Sequence, residues 1–367
     1  MYYDLEYKLA HLILKHSLRL KEKEIIEIRG PLNAAPLLRE LYIASLNIGA
    51  YPNINMYFDD HSYVFMKNAN THQLQFIHKT AIVSMETTNA IVTIDAPMNS
   101  RDLTNVEPQK IAKRSEAAKV LKDILFEREK KGELRWNLAP FPTYSMAQDA
   151  EMSFEEFKGF VYRACKLNED DPVAAWQNVA KKQQTIIDKI KDKKIIHYKG
   201  KNTDLKISVE HRKWINCMGT HNLPDGEIFT SPLEEYAEGH IYFDIPTTFM
   251  GTEVRNIYLM FNKGTVVEAK AEKGNNMLQE VLKTDEGASK IGEIAFGLND
   301  AINVATKNIL FDEKLGGTMH LALGSSYAEA GGLNKSAIHW DLIKDMKESE
   351  VYFDDELLYK NGRFILD

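Results

Sequence analysis

The chain has 367 residues, of which 44% are hydrophobic and 27% are charged, and it carries a formal net charge of −7. These fractions are those of an ordinary globular protein. Because the length exceeds the size at which a single core usually keeps growing, we predict two domains. A general nucleic-acid binder would carry a basic face, so the acidic balance predicts no nucleic-acid partner.

Two cysteines, Cys165 and Cys217, are too few for a disulfide framework or a thiolate zinc site. We predict that both are buried small apolar groups in a reducing compartment, and that any metal is held by oxygen and imidazole ligands. No stretch approaches 18 uncharged apolar residues, and the N-terminal segment lacks the continuous apolar region of a signal peptide. The sequence therefore predicts a cytoplasmic protein without a membrane partner.

The first half of the chain alternates helical and extended patterns. Helical spacing of leucines begins at Leu5, and the segment APLLRELYIASLNIG predicts a second helix that ends at Gly49. Strand-like runs occupy Glu24–Gly30, Asn53–Phe58, Thr80–Met85, Ala90–Asp95 and Leu134–Pro140. Strands separated by helices indicate an α/β domain with a largely parallel sheet.

Three further helices are predicted before the sequence changes to short β-type runs. They cover Pro108–Lys131 and the segments MSFEEFKGFVYRACKL and AAWQNVAKKQQTIIDKIKDKK, the first of these two with Ser153 and Glu156 in capping-box positions. The lysine-rich end could be an anion site, but a solvated helix end at a domain junction is the more common origin of such a run. We place the boundary near residue 190, giving an N-terminal domain over 1–190 and a C-terminal domain over 191–367.

The second half is rich in short β-type runs, with one candidate helix around Asn276–Leu282, and predicts an α+β domain. Near its end, SAIHWDLI has the apolar content of a buried strand but contains His339 and Asp341. Residues two apart in a strand share a face, so an imidazole and a carboxylate would lie side by side. Burying them is costly unless something pairs or coordinates them.

Common catalytic motifs such as HExxH, GxSxG, CxxC and the Walker loop do not occur, so the chemistry rests on isolated acids and imidazoles. Each has an ordinary structural explanation: a glutamate is usually solvated, a histidine can bond to a backbone carbonyl, and a tyrosine is usually packed. Together they offer four carboxylates and two imidazoles, a set suited to Zn, Co or Mn. Six ligands match two ions that share a bridging carboxylate. The positions are Glu227, Glu293, Glu313, His320, His339 and Asp341, with Tyr327 close in sequence.

The segments that contain these residues resemble the aminopeptidase T and aminopeptidase S family of metallopeptidases, the thermophilic-type aminopeptidases. The matching motifs are NLPDGEIFT, GEIAFGLN, LFDEKLGGTMHLALGSSY and GGLNKSAIHWD, and the N-terminal half agrees in APLLRELYIAS and PTYSMAQDAEMSFEEF. The resemblance covers essentially the whole chain. Two departures are a glycine, Gly226, where some members have an acid before the position of Glu227, and a somewhat shorter chain.

The resemblance implies a metal-dependent aminopeptidase that uses a water activated by two divalent ions (Zn, Co or Mn) to remove the N-terminal residue of peptides with a free amine. It also implies a homodimer, with an α/β domain shielding a C-terminal catalytic domain. Glu293 would be the bridging carboxylate, Tyr327 would be catalytic, and Glu293 or Glu313 could carry the proton. The implied metal ligands are Glu227, Glu293, Glu313, His320, His339 and Asp341.

Two alternatives remain open at this point. One is a dinuclear hydrolase of another substrate class, an amidase or a phosphoesterase, which would not require a free α-amine. The other is a non-enzymatic binding protein with a structural metal, whose coordination would be closed and would not need Tyr327. The sequence leaves the physiological metal and the preferred N-terminal residue open.

Overall fold

The computed structural model describes residues 4–366, which divide into two compact units. One unit extends to Val173 and includes Gly219–Pro224, and the other comprises Ala174–Met218 and the chain from Asp225 onward. The predicted boundary near residue 190 therefore lies inside the second unit. The reason is the helix Pro172–Ile190, whose residues Ile186, Ile187 and Ile190 belong to the core of that unit.

The first unit contains a four-stranded, wholly parallel sheet, in which β1 pairs with β2 and β3, and β3 pairs with β4. Its strands are β1 (Ile25–Pro31), β2 (Tyr51–Tyr57), β3 (Ala90–Asp95) and β4 (Arg135–Pro140). Ile28 of β1 lies in register with Ile54 on one side and Val92 on the other. The predicted α/β domain with a largely parallel sheet is confirmed.

Helices precede, connect and follow these strands in the chain. They are α1 (Leu5–Leu12, continued by a π-helical turn over Ile13–Ser17), α2 (Ala35–Ile48), α3 (His61–Asn68), α4 (Thr71–Gln75), α5 (Lys79–Thr87), α6 (Pro108–Lys130), α7 (Tyr144–Asp149) and α8 (Phe154–Ala164). Gly49 ends α2 with a φ of 83°, and Ser153 and Glu156 form the predicted capping box of α8, so both predictions are confirmed. Within residues 4–366 the structure has no helix with the length and apolar character needed to cross a bilayer.

One predicted strand is wrong: Thr80–Met85 lies within helix α5. The run AIVSM is short and apolar, and such a run cannot be assigned to helix or strand by periodicity. Its place in the chain decides the outcome, because α5 lies in the connection between the parallel strands β2 and β3, which requires a crossover. Met85 of α5 is buried against Ile91 and Leu134.

The described residues of the second unit form two antiparallel sheets and three α-helices, joined by loops that include the 3₁₀ turns Glu286–Ser289 and Ala328–Ala330. The helices are α9 (Pro172–Ile190), α10 (Asn275–Val281) and α11 (Ile309–Asp312), so the predicted helix around Asn276–Leu282 is confirmed. The strands are β5 (Ile195–Gly200), β6 (Thr203–Ser208), β7 (Ile215–Cys217), β8 (Glu227–Thr230), β9 (Ala237–Phe243), β10 (Thr247–Phe249), β11 (Thr252–Asn262), β12 (Thr265–Lys273), β13 (Ile291–Gly297), β14 (Thr318–Gly324), β15 (His339–Asp345), β16 (Glu350–Phe353), β17 (Glu356–Lys360) and β18 (Arg363–Phe364).

The two sheets share one hydrophobic core. The nine-stranded sheet has the order β10-β11-β9-β6-β5-β16-β17-β18 with β12 added beside β11, and the five-stranded sheet has the order β15-β14-β13-β8-β7. Phe296 of β13 lies near the middle of the core, with ring centroids 6.1 Å from Tyr198 and 5.1 Å from Tyr359. Since one face of the five-stranded sheet lines this core, the opposite face is available for polar residues.

Candidate metal centre

Strand alternation puts five of the six predicted metal ligands on one face of the five-stranded sheet. On β15, Trp340 and Leu342 belong to the hydrophobic core, so His339 and Asp341 lie on the opposite face. The same argument places His320 of β14, Glu293 of β13 and Glu227 of β8 on that opposite face, because Leu321, Ile294 and Ile228 belong to the core. The predicted strand over SAIHWDLI is confirmed, although it begins at His339 rather than at Ser336.

Ala322 separates two of the acids on this face. It lies in register with Glu293 on one side and with Asp341 on the other. Neighbouring residues on one face of an antiparallel pair have Cβ atoms about 4.5–5.5 Å apart, so a small residue between the two acids leaves their carboxylates free to converge.

A β-bulge in β13 sets the direction of Glu293. The register with β14 shifts between Ile291 and Glu293, so the extra residue is Gly292. As a result Ile291 and Glu293, which would otherwise share a face, point to opposite sides: Ile291 is in the core. Gly292 is also a place of close backbone approach, because a Cβ there would lie 2.3 Å from the carbonyl oxygen of Ser325.

Glu313, the sixth predicted ligand, comes from a loop and not from a strand. It follows the short helix α11, whose start is capped by Asn308. Asp312, directly before Glu313, is buried and accepts hydrogen bonds from the backbone N–H and the hydroxyl of Thr306 and from the N–H of Lys307. These bonds fix the loop from which Glu313 extends.

The acids and imidazoles lie within a few ångströms of one another. Nε2 of His320 is 3.6 Å from Oε2 of Glu227 and 3.7 Å from Oε1 of Glu293. Nε2 of His339 is 3.2 Å from Oε2 of Glu293 and 3.4 Å from Oδ1 of Asp341. Glu293 therefore directs one carboxylate oxygen to each imidazole, which is the arrangement that a bridging carboxylate requires.

Three groups of three residues offer ligand atoms that all lie within 4.8 Å of one another, and two of the groups consist of predicted ligands only: Glu293 with His339 and Asp341, and Glu313 with His320 and Asp341. Asp341 belongs to both of these two groups. Three buried atoms of the cluster have no hydrogen-bond partner among the described residues, namely Oε2 of Glu227, Nδ1 of His320 and Oδ1 of Asp341. Buried polar atoms without partners are costly, and together with this donor set they fit divalent cations of the Zn, Co or Mn type.

A hydrogen bond orients the His339 ring. Its Nδ1 lies 2.8 Å from the carbonyl oxygen of Ser325, which can only accept, so Nδ1 carries the proton and donates it. Nε2 then faces Glu293 and Asp341. Such an outer hydrogen bond is the usual device that fixes the tautomer of a metal-ligating histidine.

Mutual interaction shifts the pKa values of the cluster strongly. Burial raises the pKa of Glu227 to about 7, although nearby cations oppose the shift. Burial also acts on Asp341 and Glu293, but their imidazole neighbours outweigh it, so the pKa of Asp341 falls to about 2 and that of Glu293 falls below its ordinary value. Burial opposes the charged form of His339, but Asp341 and Glu293 raise its pKa to about 11, and acids likewise raise the pKa of His320.

Tyr327 lies beside this cluster and is 41% exposed. Its ring packs edge-on against the His339 ring at 5.2 Å between centroids and tilted against Phe229 at 5.0 Å. Its backbone N–H donates to the hydroxyl of Ser231 at 3.2 Å. Although the residue as a whole is partly exposed, loss of hydration at the side chain, and then the nearby acids, raise the pKa of Tyr327, so the phenol stays protonated and can donate a hydrogen bond.

Lys314, Asp225 and Cys217 also lie at the cluster and were not selected from the sequence. Nζ of Lys314 is in ion-pair contact with Glu313, and Cys217 and Asp225 have ligand atoms within 4.8 Å of each other and of Glu227. Cys217 is partly exposed rather than buried as predicted, whereas Cys165 is buried. No local signal in the sequence marks these three residues: Lys314 directly follows two acids, and such charged runs are usually solvated.

Comparisons with known proteins agree on one family. The family model described as "Thermophilic metalloprotease (M29)" matches residues 4–364. Aminopeptidase AmpS of Bacillus subtilis is 31% identical over 263 residues, which cover 62% of this chain and 63% of that protein. Aminopeptidase 2 of Geobacillus stearothermophilus is 26% identical over 382 residues, which cover 92% of this chain and 90% of that protein. The match thus spans less than two thirds of the length of AmpS but most of Aminopeptidase 2.

Among solved structures, wild-type AmpT from Thermus thermophilus is similar over 98% of this chain and 98% of its own, with a TM-score of 0.84 and 24% identity. At this identity the likeness shows the fold, which extends over both units.

Proposed function

Since the chain belongs to the thermophilic metalloprotease (M29) family, we propose that it is a metal-dependent aminopeptidase that removes the N-terminal residue of peptides with a free amine. The family membership confirms the resemblance seen in the sequence. The observation that carries the proposal is the convergence of three carboxylates and two imidazoles on one sheet face with a fourth carboxylate, Glu313, from a loop; three of their buried atoms lack hydrogen-bond partners. The names of the relatives, which are aminopeptidases, support the reaction class.

The residues that would hold the metal are those whose atoms converge: Glu227, Glu293, Glu313, His320, His339 and Asp341. Divalent ions at such a site supply Lewis acidity and lower the pKa of water towards neutrality, in sites of one or two ions. We propose two ions of Zn, Co or Mn. The division of the ligands into two groups with Asp341 in common, and the two-sided placement of Glu293, support two positions over one.

The protein's own groups would orient and polarise the scissile bond. The Tyr327 hydroxyl, kept protonated by its raised pKa, would donate a hydrogen bond to the oxygen that gains negative charge. A donor in such a position contributes about 3 kcal/mol in enzymes where it has been removed. A carboxylate of the cluster, Glu293 or Glu313, would accept the proton from water and pass it to the leaving amine.

The test is hydrolysis of an amino-acid anilide and of matched free and N-acetylated peptides. We expect activity on the free amine only, its loss in excess EDTA, and its return with Zn²⁺, Co²⁺ or Mn²⁺. Full activity in EDTA would refute metal dependence. Cleavage of the acetylated peptide, or of a phosphoester in its place, would favour a dinuclear hydrolase of another substrate class. Metal binding without any hydrolysis would favour a non-enzymatic binding protein with a structural metal.

The proposed assembly is a homodimer, as the resemblance implies, and the proposed location is the cytoplasm, as the cysteine content and the N-terminal segment of the sequence predict. Light scattering coupled to gel filtration gives the oligomeric state directly, and metal analysis of the same peak gives the number of ions per chain. A monomer with full activity would show that dimerisation is not needed for hydrolysis.

A further inference from the structure

We propose that Lys314 is a positioning residue of the metal centre: its ammonium group holds the carboxylates of Glu313 and Glu227 in the orientation that metal binding requires. The inference rests on the proposed function, because it assigns a task within the same site. It concerns a residue whose type, a lysine, cannot itself ligate a cation while charged.

Complete burial makes a role for this lysine necessary. The side chain of Lys314 is 0% exposed, although lysine is almost never fully buried unless it is paired. Nζ contacts Oε1 of Glu313 and lies 4.0 Å from Oε1 of Glu227. Breaking a buried charge pair is strongly destabilising, so the ammonium and the two carboxylates fix one another's positions.

The two oxygens of Glu227 face different partners. Oε1 is the oxygen nearest Lys314, whereas Oε2 faces Nε2 of His320 and has no hydrogen-bond partner. Nζ makes no hydrogen bond to Glu227, so its influence is electrostatic: the ammonium charge attracts Oε1 and favours the orientation in which Oε2 points towards the cluster. The same ammonium group contacts Oε1 of Glu313. Glu313 also belongs to the group of ligand atoms with His320 and Asp341, so Lys314 lies against two of the proposed ligands.

Asn299 links the backbone of Lys314 to the backbone of Asp225. The carbonyl of Lys314 accepts a hydrogen bond from the Asn299 N–H at 3.1 Å. The side-chain amide of Asn299 donates to the carbonyl of Asp225 at 2.8 Å, two residues before Glu227. Lys314 is therefore held near the start of β8, which carries Glu227, by hydrogen bonds through Asn299 as well as by charge, as a supporting group for ligands should be.

An alternative role predicts the opposite result. If Lys314 only neutralised the acids of the cluster, its positive charge would oppose the binding of a cation, and its removal would tighten metal binding. If Lys314 positions Glu313 and Glu227, its removal weakens binding, because the carboxylates lose their orientation. The sign of the change therefore separates the two roles.

The test is a titration of the chelator-treated full-length protein with Co²⁺ and Zn²⁺ against a competing indicator dye, for Lys314→Met, Lys314→Gln and Lys314→Arg. Outer groups of metal sites typically contribute 10–100-fold in affinity, so we expect the Met and Gln variants to bind about 10–100-fold more weakly. Arg keeps the charge and the donors and should restore part of the loss. Anilide hydrolysis by the Met variant should return at correspondingly higher metal concentration, with KM for the substrate unchanged.

Lys344→Met is the matched control. Lys344 is also buried and ion-paired, to Asp244 at 3.7 Å, but it lies on the side of β15 shared with Trp340 and Leu342, away from the cluster. We expect this variant to bind metal like the wild type.

Unchanged or tighter binding by the folded Lys314→Met or Lys314→Gln variant would overturn the proposal. So would a loss of folding, measured by circular dichroism, in all three Lys314 variants while Lys344→Met stays folded, since Lys314 would then be structural. A wild-type protein that binds neither ion would overturn the proposed function as well, which distinguishes that failure from a failure of Lys314 alone.

Discussion

Gln183 supports the strand that carries Glu227, and its replacement by leucine tests that support. The side chain is buried on helix α9, and its Nε2 lies 2.8 Å from the carbonyl oxygen of Cys217 and 3.1 Å from that of Glu227. It also lies 2.7 Å from Oδ1 of Asn216. Since Cys217 and Glu227 are register partners on β7 and β8, one amide group binds both strands at the same level.

The size of the effect follows from the acceptors left behind. A buried acceptor that loses its donor costs roughly 1–3 kcal/mol, so two carbonyls give about 2–6 kcal/mol. Burial of the leucine side chain returns part of this. We therefore expect Gln183→Leu to lower the free energy of unfolding by about 2–4 kcal/mol, which corresponds to a fall in Tm of about 4–16 °C for a domain of this size class.

The neighbouring residue provides the control for this experiment. Gln184 carries the same side chain on the same helix but is exposed, and its amide lies 3.3 Å from Asp188 at the surface. Urea and thermal unfolding of Gln184→Leu should stay within about 0.5 kcal/mol of the wild type. Equal stability of the two variants would refute the argument that the Gln183 amide holds these carbonyls.

Three further outcomes follow from the structure. Tyr327→Phe should keep the wild-type metal content and lower kcat by about 10²–10³, because it removes a donor to the developing charge, and loss of metal in this variant would instead make Tyr327 structural. Ala322→Leu should reduce the metal content measured by mass spectrometry, because the larger side chain enters the space between two carboxylates, and a full metal content would contradict that. Glu27 accepts two 2.9 Å hydrogen bonds from Arg29, and although burial opposes this, the bonds from Arg29 and Ser84 lower its pKa. A carboxylate whose pKa is lowered by folding stabilises the fold at pH values above its ordinary pKa, and this stabilisation is lost as the pH falls. The difference in free energy of unfolding between the wild type and Glu27→Gln should therefore shrink between about pH 5 and pH 3. A difference that grows over this range would contradict the lowered pKa.

Local patterns predicted the elements well where one signal dominated. The capping residues Ser153 and Glu156, the helix end at Gly49 and the alternation around His339 and Asp341 each follow from a few neighbouring side chains. Thr80–Met85 failed because a short apolar run suits either helix or strand, and the choice was made by the topology of the parallel sheet.

The convergence of the candidate ligands depends on contacts that are distant in the chain. Glu227 and His320 come within reach of each other only because β8 and β14 both flank β13, and no local pattern states that order. The resemblance to a known family supplied the set instead. The sequence does not predict the burial of Lys314, because a lysine beside a glutamate is usually solvated and this burial results from packing with segments that are distant in the chain.

The bulge at Gly292 has a consequence for folding fidelity. An antiparallel strand that slips by one residue exchanges its two faces. For β13 such a slip would move the Glu293 carboxylate into the hydrocarbon interior and bring Phe296 out among the acids. Because burying an unpaired charge is so unfavourable, the sheet with the shifted register is less stable than the native sheet even without a bound ion. The acidic residues of the candidate metal centre thus also favour the correct register between the strands.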